Sequence, residues 1–200
     1  MHEGEPYDNE HQDDQTNPEE ERKAQPRIYV ASLADYNEGR LYGAWIDAAQ
    51  DEEELERRAK EMLAHSPSPG AEEWAIHDYE GFGALRLDEF ESLTDVAKIA
   101  KGIGEHGPAF AAWAAHVGTD SEALDEFEDA YMGEWESAVA FAEEMLDDMG
   151  HIEEIMRNVP EHLAAYVQID YEGFVSDLVR NGELATLEKP DGGIYVFRNW

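Results

Sequence analysis

The sequence predicts an α+β fold in which a small α/β unit, a helical middle and a C-terminal α/β unit follow one another. Three observations carry that expectation. Apolar residues alternate at a period of two on either side of a turn near 35–39, and again over 74–79. From 88 to 149 they recur instead at helical spacing. The chain then closes on two short apolar runs, 184–188 and 194–197, around Pro190-Asp191-Gly192-Gly193, the composition of a hairpin turn.

Residues 1–25 hold nine acids, two bases and only Tyr7 as a sizeable apolar group, and are expected to form a disordered acidic tail. His2 and His11 within it lack metal-binding spacing. Order is expected from Arg27: Ile28, Val30 and the residues to Leu33 read as a strand, Asp35 to Gly39 as a turn, and Arg40 to Ile46 as a returning strand. Asp51 to Ala64 reads as a helix with opposite charges four apart, Glu53 before Arg57, Glu54 before Arg58 and Glu56 before Lys60. The breaker Ser66-Pro67-Ser68-Pro69-Gly70 ends it, and Trp74 to Tyr79 supplies a third strand. The helix would cover one face of the sheet.

The spacing of Phe90, Leu93, Val96, Ala97 and Ala100 predicts a helix from Asp88 that stops at Gly102. Gly102 to Gly107 matches G-x-G-x-x-G, but that dinucleotide fingerprint needs a strand before it, and here a helix precedes it. A helix stop, a loop and a restart at Pro108 account for the glycines instead. Ala109 to Val117 is rich in alanine and tryptophan and is expected to be buried, with Trp113 in the core. Thr119 with Glu122 reads as a capping box, and Gly150 stands where a helix C-terminus wants glycine. Between them, Ala123, Leu124, Phe127, Ala130 and Tyr131, then Trp135, Ala138, Val139, Ala142, Met145, Leu146 and Met149, predict two amphipathic helices. Beyond a break at Pro160, Leu163 to Ile169 is compatible with helix or strand. Glu172 to Val179 reads as a helix stopped by Gly182. Asp170-Tyr171-Glu172-Gly173-Phe174 repeats Asp78-Tyr79-Glu80-Gly81-Phe82, either as a mark of two similar units or by coincidence.

Charge is the property that separates this chain from an ordinary domain. The net charge is −34. That excludes ordinary nucleic-acid binding, which demands Lys and Arg, and disfavours an anionic membrane surface. Between Lys101 and Arg157 there is no Lys or Arg, while Asp120, Glu122, Asp125, Glu126, Glu128, Asp129, Glu134, Glu136, Glu143, Glu144, Asp147, Asp148, Glu153 and Glu154 are all acidic. On helices, Glu122 would face Glu126, Asp125 face Asp129, Glu143 face Asp147 and Glu144 face Asp148, each like-charge pair costing roughly 0.2–0.5 kcal/mol. Since the helix at 51–64 alternates signs, the acidic block is read as a partner-binding surface rather than a solubility device.

Catalytic chemistry does not stand out. The chain contains no cysteine, which removes thiolate catalysis, disulfides and Cys-based zinc sites. The serines lie in no nucleophile-elbow pattern. Asp147, His151 and Glu154 would share one helix side only if the helix continued past Gly150, and no second Glu-x-x-His unit exists, so no metal and no cofactor are expected. No apolar run is long enough to span a membrane and no signal peptide is visible, so a cytoplasmic protein that is not an enzyme is expected.

Without the tail, which carries −7, the charge is −27. Duplex DNA carries one charge per about 1.7 Å of axis, so this corresponds to roughly 46 Å, or about 14 base pairs. Acids on successive helical turns lie at distances comparable to neighbouring phosphates, which would let the protein occupy a groove built from Lys and Arg.

Pro26-Arg27-Ile28-Tyr29-Val30-Ala31-Ser32-Leu33, Tyr36-Asn37-Glu38-Gly39, Gly43-Ala44-Trp45, Ala75-Ile76-His77-Asp78-Tyr79-Glu80, and Ile169-Asp170-Tyr171-Glu172 with Asp177-Leu178 resemble the antirestriction protein ArdA family in order and spacing. The resemblance covers about 26–200, and the acidic tail departs from it. It implies a DNA mimic that binds the DNA groove of type I restriction-modification enzymes, with no nucleic acid or membrane bound directly. It also implies an elongated chain of three small domains, here 26–92, 93–130 and 131–200, that forms a homodimer through the last. Tyr29, Tyr36, Trp45 and Tyr79 would then build or support the first domain, and the acids would form the active surface. Competing readings are a halophile-type acidic cytoplasmic protein of other function and a metal-dependent enzyme using Asp147 and His151.

Overall fold

The computed structural model describes residues 25–119 and 121–199. All but Gln25 of the expected tail, and Asp120 of the acidic block, lie outside the described residues. The chain is a mixture of helices and two small antiparallel sheets, an α+β fold.

The first sheet has β1 (Arg27–Ser32) between β2 (Gly43–Asp47) and β3 (Trp74–Glu80). Ile28 pairs with Ile46 and with Tyr79, and strand alternation sends Ile28, Val30 and Ile46 to one buried face. Helix α2 (Glu52–Ala64) contributes Leu55, Ala59, Met62 and Leu63 to the same core. An exposed pair such as Glu56–Lys60, at 2.6 Å, adds only about 0.3–0.5 kcal/mol. Full burial of a side chain like Leu55 is worth about 1.5–3 kcal/mol, so packing rather than the charge ladder holds the helix.

The turn expected over 35–39 is a single helical turn, α1 (Leu33–Asn37), with Ser32 as its N-cap. The returning strand starts at Gly43 rather than Arg40. Both differences trace to Asp35, which is wholly buried. Its carboxylate accepts from Ser68 Oγ at 2.8 Å, from Arg40 Nε at 3.1 Å and from Ser66 Oγ, so Arg40 is drawn back to the turn. Burial alone would push this carboxyl up; hydrogen bonds from Ser66, Ser32, Ser68 and Arg40 reverse that and hold it at about 2. The serines of the 66–70 breaker thus fasten β1's end to the loop before β3.

Helix α3 runs from Leu93 to His106, starting later and ending later than its pattern predicts. Phe90 stays outside it and exposed. The helix passes through Gly102, which is not a stop: a Cβ there would collide with the ring of Phe110 on α4 (Pro108–Val117). Gly102 therefore serves close helix packing. Pro108 opens α4 as expected, and Trp113 is buried, stacked on Phe197 at 5.0 Å and donating its Nε1–H to the Ala123 carbonyl at 3.0 Å.

The first expected acidic helix is two short ones, α5 (Ser121–Asp125) and α6 (Phe127–Ala130), interrupted at Glu126. The Thr119 hydroxyl donates to Glu91 at 3.3 Å. Next comes a strand that the helical spacing concealed, β4 (Tyr131–Trp135). Helix α7 (Ala138–Asp148) is capped by Ser137, and α8 (His151–Arg157) follows Gly150 at φ 70°. A 3-10 turn occupies Glu161–Tyr166, and α9 (Tyr171–Arg180) begins at the cap Asp170. Asp170-Tyr171-Glu172-Gly173-Phe174 thus opens a helix, whereas Asp78-Tyr79-Glu80 ends a strand. The pentapeptide repeat is not a structural repeat.

Strands β5 (Leu184–Glu188) and β6 (Ile194–Arg198) form the expected terminal hairpin, and β4 adds to β6, giving the order β4-β6-β5. Alternation along β6 explains how both faces are covered. Tyr195 and Phe197 join a core running through α4, α3 and α2 to the first sheet, while Val196 packs with Phe141, Ala142, Val175 and Leu184 under α7 and α9.

Candidate functional site

The acidic block is built on these packed elements. Leu124, Phe127 and Ala130 are buried on α5 and α6, and Phe141, Ala142 and Leu146 on α7, so the intervening polar residues are turned outward. Glu122, Asp125, Glu126, Glu128, Asp129, Glu134, Glu136, Glu143, Glu144, Asp147, Asp148, Glu153 and Glu154 are all exposed. They fall on five consecutive elements and their joints, not on two helices.

Two electrostatic regimes divide the block. Its first part is tied to cations supplied by other segments: Lys98 of α3 lies 2.7 Å from Asp125, and Lys189 of the terminal hairpin lies 2.8 Å from Glu134. The hydrogen bond to Glu134 holds the Lys189 ammonium above its ordinary range. His106 stands 3.9 Å from Glu128. Within the second part, Glu143, Asp147, Asp148, Glu153 and Glu154 have no ion-pair partner among the described residues. Glu144 accepts from Trp135 Nε1 at 2.9 Å, which fixes a carboxylate without neutralising it.

Helix α7 presents Glu143 and Asp147, and Glu144 and Asp148, one turn apart on a continuous helix. The corresponding pairs on α5 and α6 are divided by the break at Glu126. Four carboxylates on α7 lie within about 8 Å of helix axis, at 1.5 Å of rise per residue. Asp147, His151 and Glu154 do not share a helix side, because left-handed Gly150 separates α7 from α8. Among the described residues no three His, Asp or Glu side chains gather in a metal-holding arrangement. No described helix is long and apolar enough to cross a membrane.

The sequence profile of the antirestriction protein family ArdA matches residues 28–190. The chain belongs to the ArdA family. Comparison with curated proteins gave no match. The match begins within β1 and ends at the turn of the terminal hairpin, so it takes in both sheets and every residue of the acidic block. Antirestriction, the function of the ArdA family, is inhibition of another enzyme, and a displayed charged surface suits that work without a catalytic pocket.

Among the aromatic residues that carry the family resemblance, Tyr79 packs against the first core. Tyr36 and Trp45 do not: they are 57% and 39% exposed. Sequence reasoning placed them as structural residues because strand position fixes neither face nor edge. The edge position of β2, set by a long-range pairing, is what leaves Trp45 uncovered.

Proposed function

We propose that this protein is a DNA mimic that occupies the DNA-binding groove of a type I restriction-modification enzyme in the cytoplasm. The observation that supports the reading is the exposed acidic run from Glu136 to Glu154, whose charges on α7 and α8 have no ion-pair partner among the described residues. Charges left uncompensated at a cost in helix stability are available to Lys and Arg from outside. A total of −27 beyond the tail matches the charge of about 14 base pairs, and a homodimer joined through its C-terminal part would double that length.

Competition of this kind is electrostatic at long range and distributed over many groups. Inhibition therefore weakens steeply as salt rises, and no single Asp→Asn or Glu→Gln change abolishes it. The test is a titration of this protein into a type I methyltransferase bound to labelled target DNA, at several salt concentrations. Stoichiometric displacement that fades with salt is expected. A folded protein that displaces nothing at low salt refutes the reading.

A further inference from the structure

The outer face of the first sheet carries a row of side chains that the acidic surface does not explain. Cross-strand pairing sets Trp45 beside Tyr29 and Asp78, and Asp47 beside Arg27 and Glu80. The Tyr29 and Trp45 rings lie 5.5 Å apart, and the Arg27 guanidinium sits 4.6 Å from the Trp45 ring centre. Arg27 is itself held by Glu80 at 2.6 Å. Trp45 is thus braced from two sides, yet over a third of it faces solvent. It stands on an edge strand between two shallow clefts of about 330 and 280 Å³, one toward Arg58 and His65 on α2 and one toward Pro26 and Asp47.

A tryptophan exposed at this level loses part of its burial free energy for no gain within the monomer. Trp, Tyr and Arg are also the residues that dominate protein interface hot spots, and a ring already held in one orientation loses little entropy on binding. The flanking Asp47, Asp78 and Glu80 outnumber Arg27, so the face as a whole is anionic. That charge fits a cationic protein surface and repels a second copy of this acidic chain.

We infer that Trp45, braced by Tyr29 and Arg27, is an aromatic anchor that contacts the same restriction-modification enzyme beside its DNA groove. The inference rests on the DNA-mimic reading and adds a contact that DNA itself lacks. The acids steer the encounter and set its salt dependence, while the anchor adds affinity that salt does not screen.

The test uses the same displacement titration, with wild type, Trp45→Ala, Trp45→Thr and Trp45→Phe at three salt concentrations. The threonine variant keeps a strand-favouring residue should alanine impair folding, which circular dichroism would reveal. Trp45→Ala and Trp45→Thr are expected to need about tenfold more protein at every salt, with an unchanged slope against salt, and Trp45→Phe to recover most of the loss. Folded variants that displace DNA at the wild-type concentration overturn the anchor and leave the mimic reading standing. Wild type that displaces no DNA removes both. A drop in oligomer mass by light scattering in the Trp45 variants, with displacement unchanged, assigns the face to self-association and equally overturns the inference.

Discussion

Neutralising the four carboxylates of α7 together, by Glu143→Gln, Glu144→Gln, Asp147→Asn and Asp148→Asn, sets binding and stability in opposite directions. Each exposed charge pair in a complex is worth about 0.2–1 kcal/mol, so losing four weakens binding by about 1–4 kcal/mol, roughly 4-fold to several hundred-fold. If each acid replaces one phosphate contact, the slope of log affinity against log salt falls by at most about 3.6, from about 0.9 per contact. The helix itself gains. Two like-charge pairs one turn apart vanish, returning about 0.4–1 kcal/mol, and positions 147 and 148 no longer oppose the negative end of the helix dipole. For a chain of this size 1 kcal/mol corresponds to about 2–4 °C, so the variant should melt at least 1 °C higher at low salt. The amide introduced by Glu144→Gln keeps an oxygen for the Trp135 indole, so the local packing survives. Thermal melts and DNA displacement at three salt concentrations decide the matter. A variant that melts higher and displaces DNA with the wild-type salt slope would show that α7 is not part of the contact.

Gly102→Val forces a branched side chain into the Phe110 ring, and overpacking of this kind costs about 1–3 kcal/mol. The melting temperature should fall by about 2–12 °C, and an unchanged melt would mean that α3 and α4 do not approach as closely as described. The Asp35 carboxyl, held at about 2 in the fold, lies below its ordinary value of 3.8. A depressed carboxylate stabilises the fold fully above the unfolded value and loses that contribution as pH falls from about 3.8 through 2. Asp35→Asn should therefore melt below wild type at pH 7, with the gap closing across that acidic window; a gap independent of pH would assign the stabilisation to shape rather than charge.

Local signals in the sequence reached some elements and not others for identifiable reasons. The first sheet, α2 and the terminal hairpin were legible because their periodicity and their breakers agree, as at Ser66 to Gly70 and Pro190 to Gly193. β4 was not, since Ala130, Tyr131 and Trp135 fit helical spacing and only the pairing of Tyr131 with Phe197 and of Glu134 with Tyr195 makes a strand of them. Gly102 looked like a stop because a glycine in a helix is costly on its own, and the compensating contact with Phe110 lies on another helix. Of the acidic block, composition gave the identity of the acids. It could not give the division between acids tied by Lys98 and Lys189 and those left free, because both lysines come from outside the block.

That division bears on why the acids are carried by a folded domain at all. A flexible polyanion also attracts a basic groove, but each of its charges must be ordered on binding, at about 1–2 kcal/mol of backbone entropy per residue. Helix α7 is ordered beforehand by Phe141, Ala142 and Leu146 beneath it, where burying a single large side chain is worth about 1.5–3 kcal/mol and outweighs several repulsions of about 0.2–0.5 kcal/mol. The small core between α7, α9 and the second sheet thus converts hydrophobic burial into fixed charge spacing. Lys98 and Lys189 secure the elements that lead into α7 without reaching the acids it displays. An antirestriction surface organised this way depends on Phe141 and Val196 as firmly as on the carboxylates, although neither side chain faces the groove it serves.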